Sequence, residues 1–372
     1  MIYFDNAATT FPKPKNVLKE VRRCIEKYCG NPGRSSHSLS VKTSEKIFET
    51  RECIAKFLNA ENAENIVFTQ NATYALNLAI KTQIPENSHI LISNFEHNSV
   101  FRPVYSLSKK GKVSYSIFDF ANFEKDIPNL INKDTSCIIS ILSSNVNGKT
   151  IDFKKLSSLA QKHGLKLIID ASQYVGHKRI NLKDTPCDIL CAPGHKALFG
   201  IQGAGFVYFK ENSSADSFIE GGSGTTSSSP DMPDYLPEKY EAGTLPSPSV
   251  ISISEGIKFI NEVGIDEIEN KSLSLTQMAK ERLLNIAGVI FYGADNGVLS
   301  FNYNDIPSYV ISDELNKRGI CTRGGLHCAP LAHRCIGTTS HGSVRLSFSF
   351  LNKKREVEYF YSAIKDICKQ YT

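Results

Sequence analysis

Residues 166–209 read KLIIDASQYVGHKRINLKDTPCDILCAPGHKALFGIQGAGFVYF, and this stretch decides the fold. It holds three short apolar runs, KLIID at 166–170, DILCA at 188–192 and GFVYF at 205–209. None keeps a polar face, which is the pattern of strands buried on both sides in a largely parallel sheet covered by helices. Upstream, strand patterns at 66–68, 90–93, 113–118 and 137–142 alternate with helical ones at 72–83, 98–110 and 153–163, as an α/β sheet requires. Before them come a helix at 13–29, a loop at 30–40 and an amphipathic helix at 41–60, with Ile47, Phe48, Ile54, Phe57 and Leu58 on one face. Downstream, residues 220–249 are rich in Gly, Ser and Pro and read as a long loop. A second unit follows. It has helices at 250–262, 266–286 and 308–318, strands near 289–292, 298–303 and 344–350, and a closing helix striped by Val357, Phe360, Tyr361, Ile364, Ile367 and Cys368.

At 372 residues the chain exceeds the ~250–300 residues at which a single core stops growing, so two lobes are expected. The net charge of +5, from 43 basic and 38 acidic residues without a basic run, points away from nucleic acid and lipid and toward a small substrate. No basic, apolar leader opens the chain and no stretch reaches ~18 apolar residues, so a cytoplasmic protein off the membrane is expected. Ten cysteines in such a chain are expected to be reduced thiols, mostly small buried hydrophobes.

Ligands of parallel sheets gather beyond the carboxyl ends of the strands. There, Asn71-Ala72-Thr73 opens a helix, a place for phosphate; His97 follows a strand and Asp170 ends one, with Gln173 beyond; and Lys196 lies in CAPGHKALFGIQGAG at 191–205. Taken singly, these are a helix cap, a structural histidine, a paired aspartate and a surface lysine. A lysine used as a nucleophile must shed roughly three units from its reference pKa, through burial or a nearby cation. Together the four describe a pyridoxal phosphate site, with the lysine as Schiff base and the aspartate against the pyridine nitrogen.

With YFDNAATT at the start, then EHNS, SNVNG, DASQ, GHK and YEAGT, and RGGLHCAP near the end, the chain resembles the class V aminotransferase branch of fold-type I pyridoxal phosphate enzymes. The resemblance is strongest to group II cysteine desulfurases and selenocysteine lyase-like proteins. It implies a large α/β domain at 13–248 with a mostly parallel seven-stranded sheet between helices, and a smaller α+β domain from 1–12 and 249–372. It further implies that Lys196 bears the cofactor, that Asp170 pairs with its ring nitrogen, that Gln173 bonds its ring hydroxyl and that His97 stacks on the ring and moves protons. Thr73, the amide of Ala72 and His195 would hold the phosphate. Asn145, Arg345, Arg323 and His37 would serve the substrate, Arg345 by clamping its carboxylate.

The same resemblance implies a homodimer in which Thr244 reaches the partner's phosphate. The implied reaction converts L-cysteine to L-alanine and leaves the sulfur as a persulfide on Cys328, for an acceptor protein or thiol. Glycines and the neighbouring Arg323 and His327 suit Cys328 to a reactive loop. L-selenocysteine lyase is the nearest alternative; a transaminase or a non-catalytic binding protein ranks lower. A zinc reading of His327, Cys328, His333 and Cys335 ranks lower still, because the spacing fits no common pattern. Two residues depart from the family: Pro193 stands where many relatives carry a phosphate-binding hydroxyl, and Ala72 has none.

Overall fold

The apolar runs assemble into one seven-stranded sheet. Its order is Ile66–Thr69, Gly205–Phe209, Ile189–Pro193, Lys166–Asp170, Thr135–Ile141, Ser88–Ser93, Val113–Phe118. The computed structural model in which it is seen describes residues 1–33, 35–212 and 215–371. Gly205–Phe209 runs antiparallel to both its neighbours, and the other pairings are parallel. The link at 194–204 is too short to carry a crossover helix, so the chain can only turn back on itself.

Alternation along each strand explains why the runs lack a polar face. Leu91, Ile138, Leu167, Ile169, Leu190 and Phe206 enter one core, against Ile54 and Leu58 of the helix Ser38–Leu58 and Ile253 and Ile257 of the helix Ser247–Val263. Their neighbours Ile90, Ile92, Ile139, Ile168, Ile189 and Val207 enter the opposite core, against Leu76 and Ile80 of the helix Ala72–Gln83 and Val100 and Val104 of the helix Asn98–Lys109.

A four-stranded antiparallel sheet, in the order Arg323–Gly325, Ser343–Ser347, Val298–Tyr303, Val289–Asp295, forms beyond residue 288. Its core takes Val357, Phe360, Ile364 and Ile367 from the last helix, Lys354–Gln370, and Phe4 from the chain's start. Phe4 is drawn in because Ile2–Tyr3 pairs in parallel with Ile320–Cys321. Those two-residue strands, and Arg323–Gly325, are too short to show a period. The helix Phe123–Leu130 also departs from the sequence reading; it is two turns long and contains Pro128. The helix expected at 41–60 begins at Ser38, because His37 Nδ1 accepts the Ser40 amide at 3.2 Å and caps it. No helix among the described residues is long and apolar enough to cross a membrane.

Candidate active site

Register brings the strand ends level. Asp170 lies beside Ile141 on one neighbouring strand and Cys191 on the other. Gly205 sits so close to the start of the helix Ala72–Gln83 that a Cβ there would meet the Asn71 carbonyl carbon at 2.9 Å. The close approach needs glycine. Between these ends lies a cavity of about 160 Å³, lined by residues 71–73, His97, Ser99, Ile141, Asn145, Asp170, Ser172, Gln173, Pro193, His195 and Lys196. A larger cleft of about 340 Å³, around Lys166, Asp188 and Lys210 at the other end of the sheet, holds none of the residues singled out above.

Lys196 is an unusual lysine. Burial, helped by the charges of Arg345 and Arg323 and opposed by Asp170, lowers its pKa to about 8. Burial also raises the carboxyl of Asp170, offset by Ser172, whose amide donates to Oδ1 at 2.9 Å, and by Lys196. Gln173 is turned toward the chain's start, its Nε2 donating to the Ala7 carbonyl at 2.8 Å.

At the opposite wall the first amides of the helix Ala72–Gln83 open toward the cavity, with Asn71 Oδ1 accepting the Tyr74 amide at 3.0 Å. Thr73 Oγ1 lies 2.8 Å from Ser99 Oγ, which lies 2.9 Å from His97 Nδ1. The same nitrogen accepts the Ser99 amide at 3.1 Å, so His97 caps its own helix. Burial, with Lys196 and Arg323 adding to it, pushes His97 down to about 3, and the ring is neutral. His195 is likewise lowered to about 4, chiefly by burial. Its Nδ1 is buried without a partner among the described residues, while its carbonyl accepts from Lys13 Nζ at 2.8 Å.

The loop of Cys328 is docked on this machinery. Asn145 Nδ2 donates to the His327 carbonyl at 2.8 Å, and the amide of Asn98, next to His97, donates to the Cys328 carbonyl at 2.8 Å. These bonds hold two successive non-glycine residues in the left-handed region, His327 at φ 49° and Cys328 at φ 57°. The thiol is exposed. Arg345 is fully buried behind the loop; Nη1 donates to the Asn145 carbonyl at 3.0 Å and Nη2 pairs with Asp5. Arg345 Nε and Asn145 Oδ1 have no partner among the described residues. Arg323 lies opposite Arg345 on the neighbouring strand.

The single chain therefore gathers Lys196, Asp170, Gln173, His97, Thr73, Ala72, Asn145 and His195 at one cavity and links Arg345 and Cys328 to it through Asn145 and Asn98. It leaves His37 as an exposed helix cap and Thr244 exposed in a loop, neither lining the cavity. No group of three or more possible metal ligands occurs among the described residues. Cys335 turns to the Asn94 carbonyl at 3.5 Å, and His333 Nδ1 to Thr338 Oγ1 at 2.7 Å. Sequence reasoning missed Asp5, Ser99 and Ser172. Asp5 lies inside the quoted YFDNAATT, and Ser99 two residues after His97, but nothing local tells which side chain either one meets.

The family model for aminotransferase class-V matches residues 2–360. The chain is 31% identical to a probable cysteine desulfurase of Pyrococcus abyssi, over 99% of this chain and 94% of that protein. It is 29% identical to one of Methanothermobacter thermautotrophicus, over 98% and 94%. Among solved structures it is similar to an apo cysteine desulfurase from Thermococcus onnurineus, with TM-score 0.90 and 28% identity over 99% of this chain and 95% of that one. A cysteine desulfurase from Escherichia coli, at 23% identity and TM-score 0.88 over 99% and 94%, shares the fold.

Proposed function

The chain belongs to the class-V aminotransferase family, and we propose that, as a cysteine desulfurase, it divides the chemistry between Lys196 in the cavity and Cys328 on the loop above it. Pyridoxal phosphate suits the residues present. Asp170 offers a buried carboxylate to a ring nitrogen, the helix amides at 72–73, Thr73 and His195, whose Nδ1 has no partner among the described residues, offer donors to a phosphate, and Lys196 is an amine freed by burial. Pro193 offers no donor, so the phosphate depends on the helix amides and on these side chains. When bound, the cofactor supplies an electron sink at the carbon that loses its proton.

The chain's own residues do the rest. Arg345, held by Asp5 and the Asn145 carbonyl, keeps an Nε–H, unpartnered among the described residues, for the carboxylate of L-cysteine. Lys196 has a neutral fraction near physiological pH and takes the substrate's α proton. The Cys328 thiolate attacks the substrate sulfur. A sulfur–sulfur bond forms and the carbon–sulfur bond breaks, its electron pair staying with the β carbon, which takes up a proton; Lys196 returns its proton to the α carbon to give L-alanine, so no outside oxidant is needed. The exposed persulfide is then open to an acceptor thiol. Thr244, exposed and away from its own cavity, is available to the phosphate of a second subunit in a homodimer.

One observation carries this reading: the carbonyls of His327 and Cys328 are bonded to Asn145, which lines the cavity with Lys196, and to Asn98, the residue beside the cavity-lining His97, so the loop with the exposed thiol is seated on the rim of the Lys196 cavity. The test is mass spectrometry of Cys328 after incubation with L-cysteine, alongside Lys196→Ala and Cys328→Ala. One sulfur added at Cys328, and no lysine-bound cofactor absorbance in Lys196→Ala, are expected. Undiminished sulfur transfer from L-cysteine by Cys328→Ala would refute the division of labour; loss with L-cysteine but not with L-selenocysteine would mark a selenocysteine lyase.

A further inference from the structure

A buried ion pair lies at the open edge of the large sheet, away from the site. Arg51, on the helix Ser38–Leu58, meets Glu241 through two parallel bonds, Nη1 to Oε1 at 2.8 Å and Nη2 to Oε2 at 2.9 Å. Both side chains are at least nine-tenths buried. The pair is also bonded to the edge strand Ile66–Thr69. Glu241 Oε1 accepts the Phe68 amide at 2.6 Å, Arg51 donates to the Ile66 carbonyl, and the guanidinium lies over the Phe68 ring at 4.6 Å. Among the described residues Ile66–Thr69 has a neighbouring strand on one side only, so the pair satisfies edge groups that would otherwise be open to another strand.

The chain on either side of Glu241 shows what this anchors. Tyr240 is buried in the core on one face of the sheet and stacks on Phe209 at 5.4 Å. Leu245 packs against the core on the other face. Between them the backbone passes round the sheet edge, turning at Gly243 with φ 89° and leaving Thr244 exposed at the turn. Glu241 is the residue in that crossing bonded to the edge strand.

We propose that the Arg51–Glu241 pair is the positioning device for Thr244, clamping the crossing segment to the sheet edge so that the threonine is presented to the phosphate-binding end of a second subunit's site. The inference rests on the shared-site reading given above. Arg51 and Glu241 act through Thr244 and touch neither substrate nor cofactor of their own cavity. A charge lost at Glu241 is felt at the partner's cofactor, not at its own.

That directionality is the test. Holoenzyme of Glu241→Gln should release cofactor about tenfold faster than wild type, the fold-change of one charge-assisted hydrogen bond lost. Thr244→Ala should do the same. An Arg51→Met, Glu241→Met double variant, which replaces the buried pair with apolar side chains of similar size, guards against simple misfolding and should also release faster. Each is then mixed with Lys196→Ala subunits, which carry the wild-type crossing segment but no lysine to bear cofactor. In the mixed dimers all lysine-bound cofactor sits in the variant subunit and faces a wild-type Thr244. Its release, followed by the lysine-bound absorbance, should return to the wild-type rate for all three variants. Rescue of Thr244→Ala without rescue of the Arg51 and Glu241 variants overturns the inference and leaves the shared site standing, as does wild-type release by those variants before mixing. If Thr244→Ala itself is not rescued, the shared site falls and the inference with it.

Discussion

The amine of Lys196 in the cofactor-free protein should titrate about two to three units below an exposed lysine. At a pKa of about 8, about a quarter of the amine is neutral at pH ~7.5, against about one part in a thousand for a lysine at the reference ~10.4, a gain of about two hundredfold in nucleophile. The apo chain, pulsed briefly with acetic anhydride across pH 6–11 and digested, yields one acetylation curve per lysine in the mass spectrometer. Lys196 is expected to show a midpoint near 8, with the exposed lysines as internal standards. The surroundings also set the direction in which variants move it. Asp170 raises the Lys196 pKa and Arg345 lowers it, so Asp170→Asn should shift the midpoint further down and Arg345→Met should shift it up. Both shifts follow from the sign of the removed charge and do not depend on activity. Acetylation of Lys196 in step with the exposed lysines, or an upward shift in Asp170→Asn, would refute the claim that burial and this charge constellation tune the amine.

Glu96 is fully buried; its carboxyl is pushed up to about 8 by burial, and Oε2 has no partner among the described residues. The raised pKa means a contribution to stability that is full below the unfolded value of ~4.3 and lost as pH rises to about 8. Glu96→Gln should therefore gain on wild type by on the order of 2–4 kcal/mol between pH 4.5 and pH 8 in urea unfolding, and an unchanged difference across that range refutes it. Ser99→Ala removes the hydroxyl shared by Thr73 and His97 and should cost about 1 kcal/mol of stability, with weaker cofactor reconstitution; unaltered reconstitution contradicts the shared role. Asp5→Asn leaves Arg345 without its charged partner and should raise KM for L-cysteine about tenfold with kcat within about threefold. A lower KM would show that Asp5 repels the substrate rather than aligning its anchor.

Much of the architecture was legible because sheets and helices are written in local periodicity. Strand patterns at 113–118, 166–170 and 205–209 and the helical pattern at 72–83 coincide with observed elements. The placing of Asp170 and Lys196 at the cavity was legible for a related reason: Asp170 ends an apolar run and Lys196 follows one, and the carboxyl ends of such runs converge in a parallel sheet. Short pieces were not legible. Ile2–Tyr3 and Arg323–Gly325 are strands only because of their partners, and Phe123–Leu130 holds too few turns to declare itself.

The sequence by itself thus determined the α/β class, the end of the sheet at which the cavity lies and, through its ordered motifs, the family. Tertiary structure alone decided how the site is held. Asp5 meets Arg345 across 340 positions, Ser99 joins Thr73 to His97, and the Cys328 loop is seated by Asn145 and Asn98; away from the cavity, Glu241 bonds a loop to an edge strand 173 residues away. Periodicity records which face of an element is buried, whereas these bonds depend on where distant elements come to rest, which packing of the whole core sets.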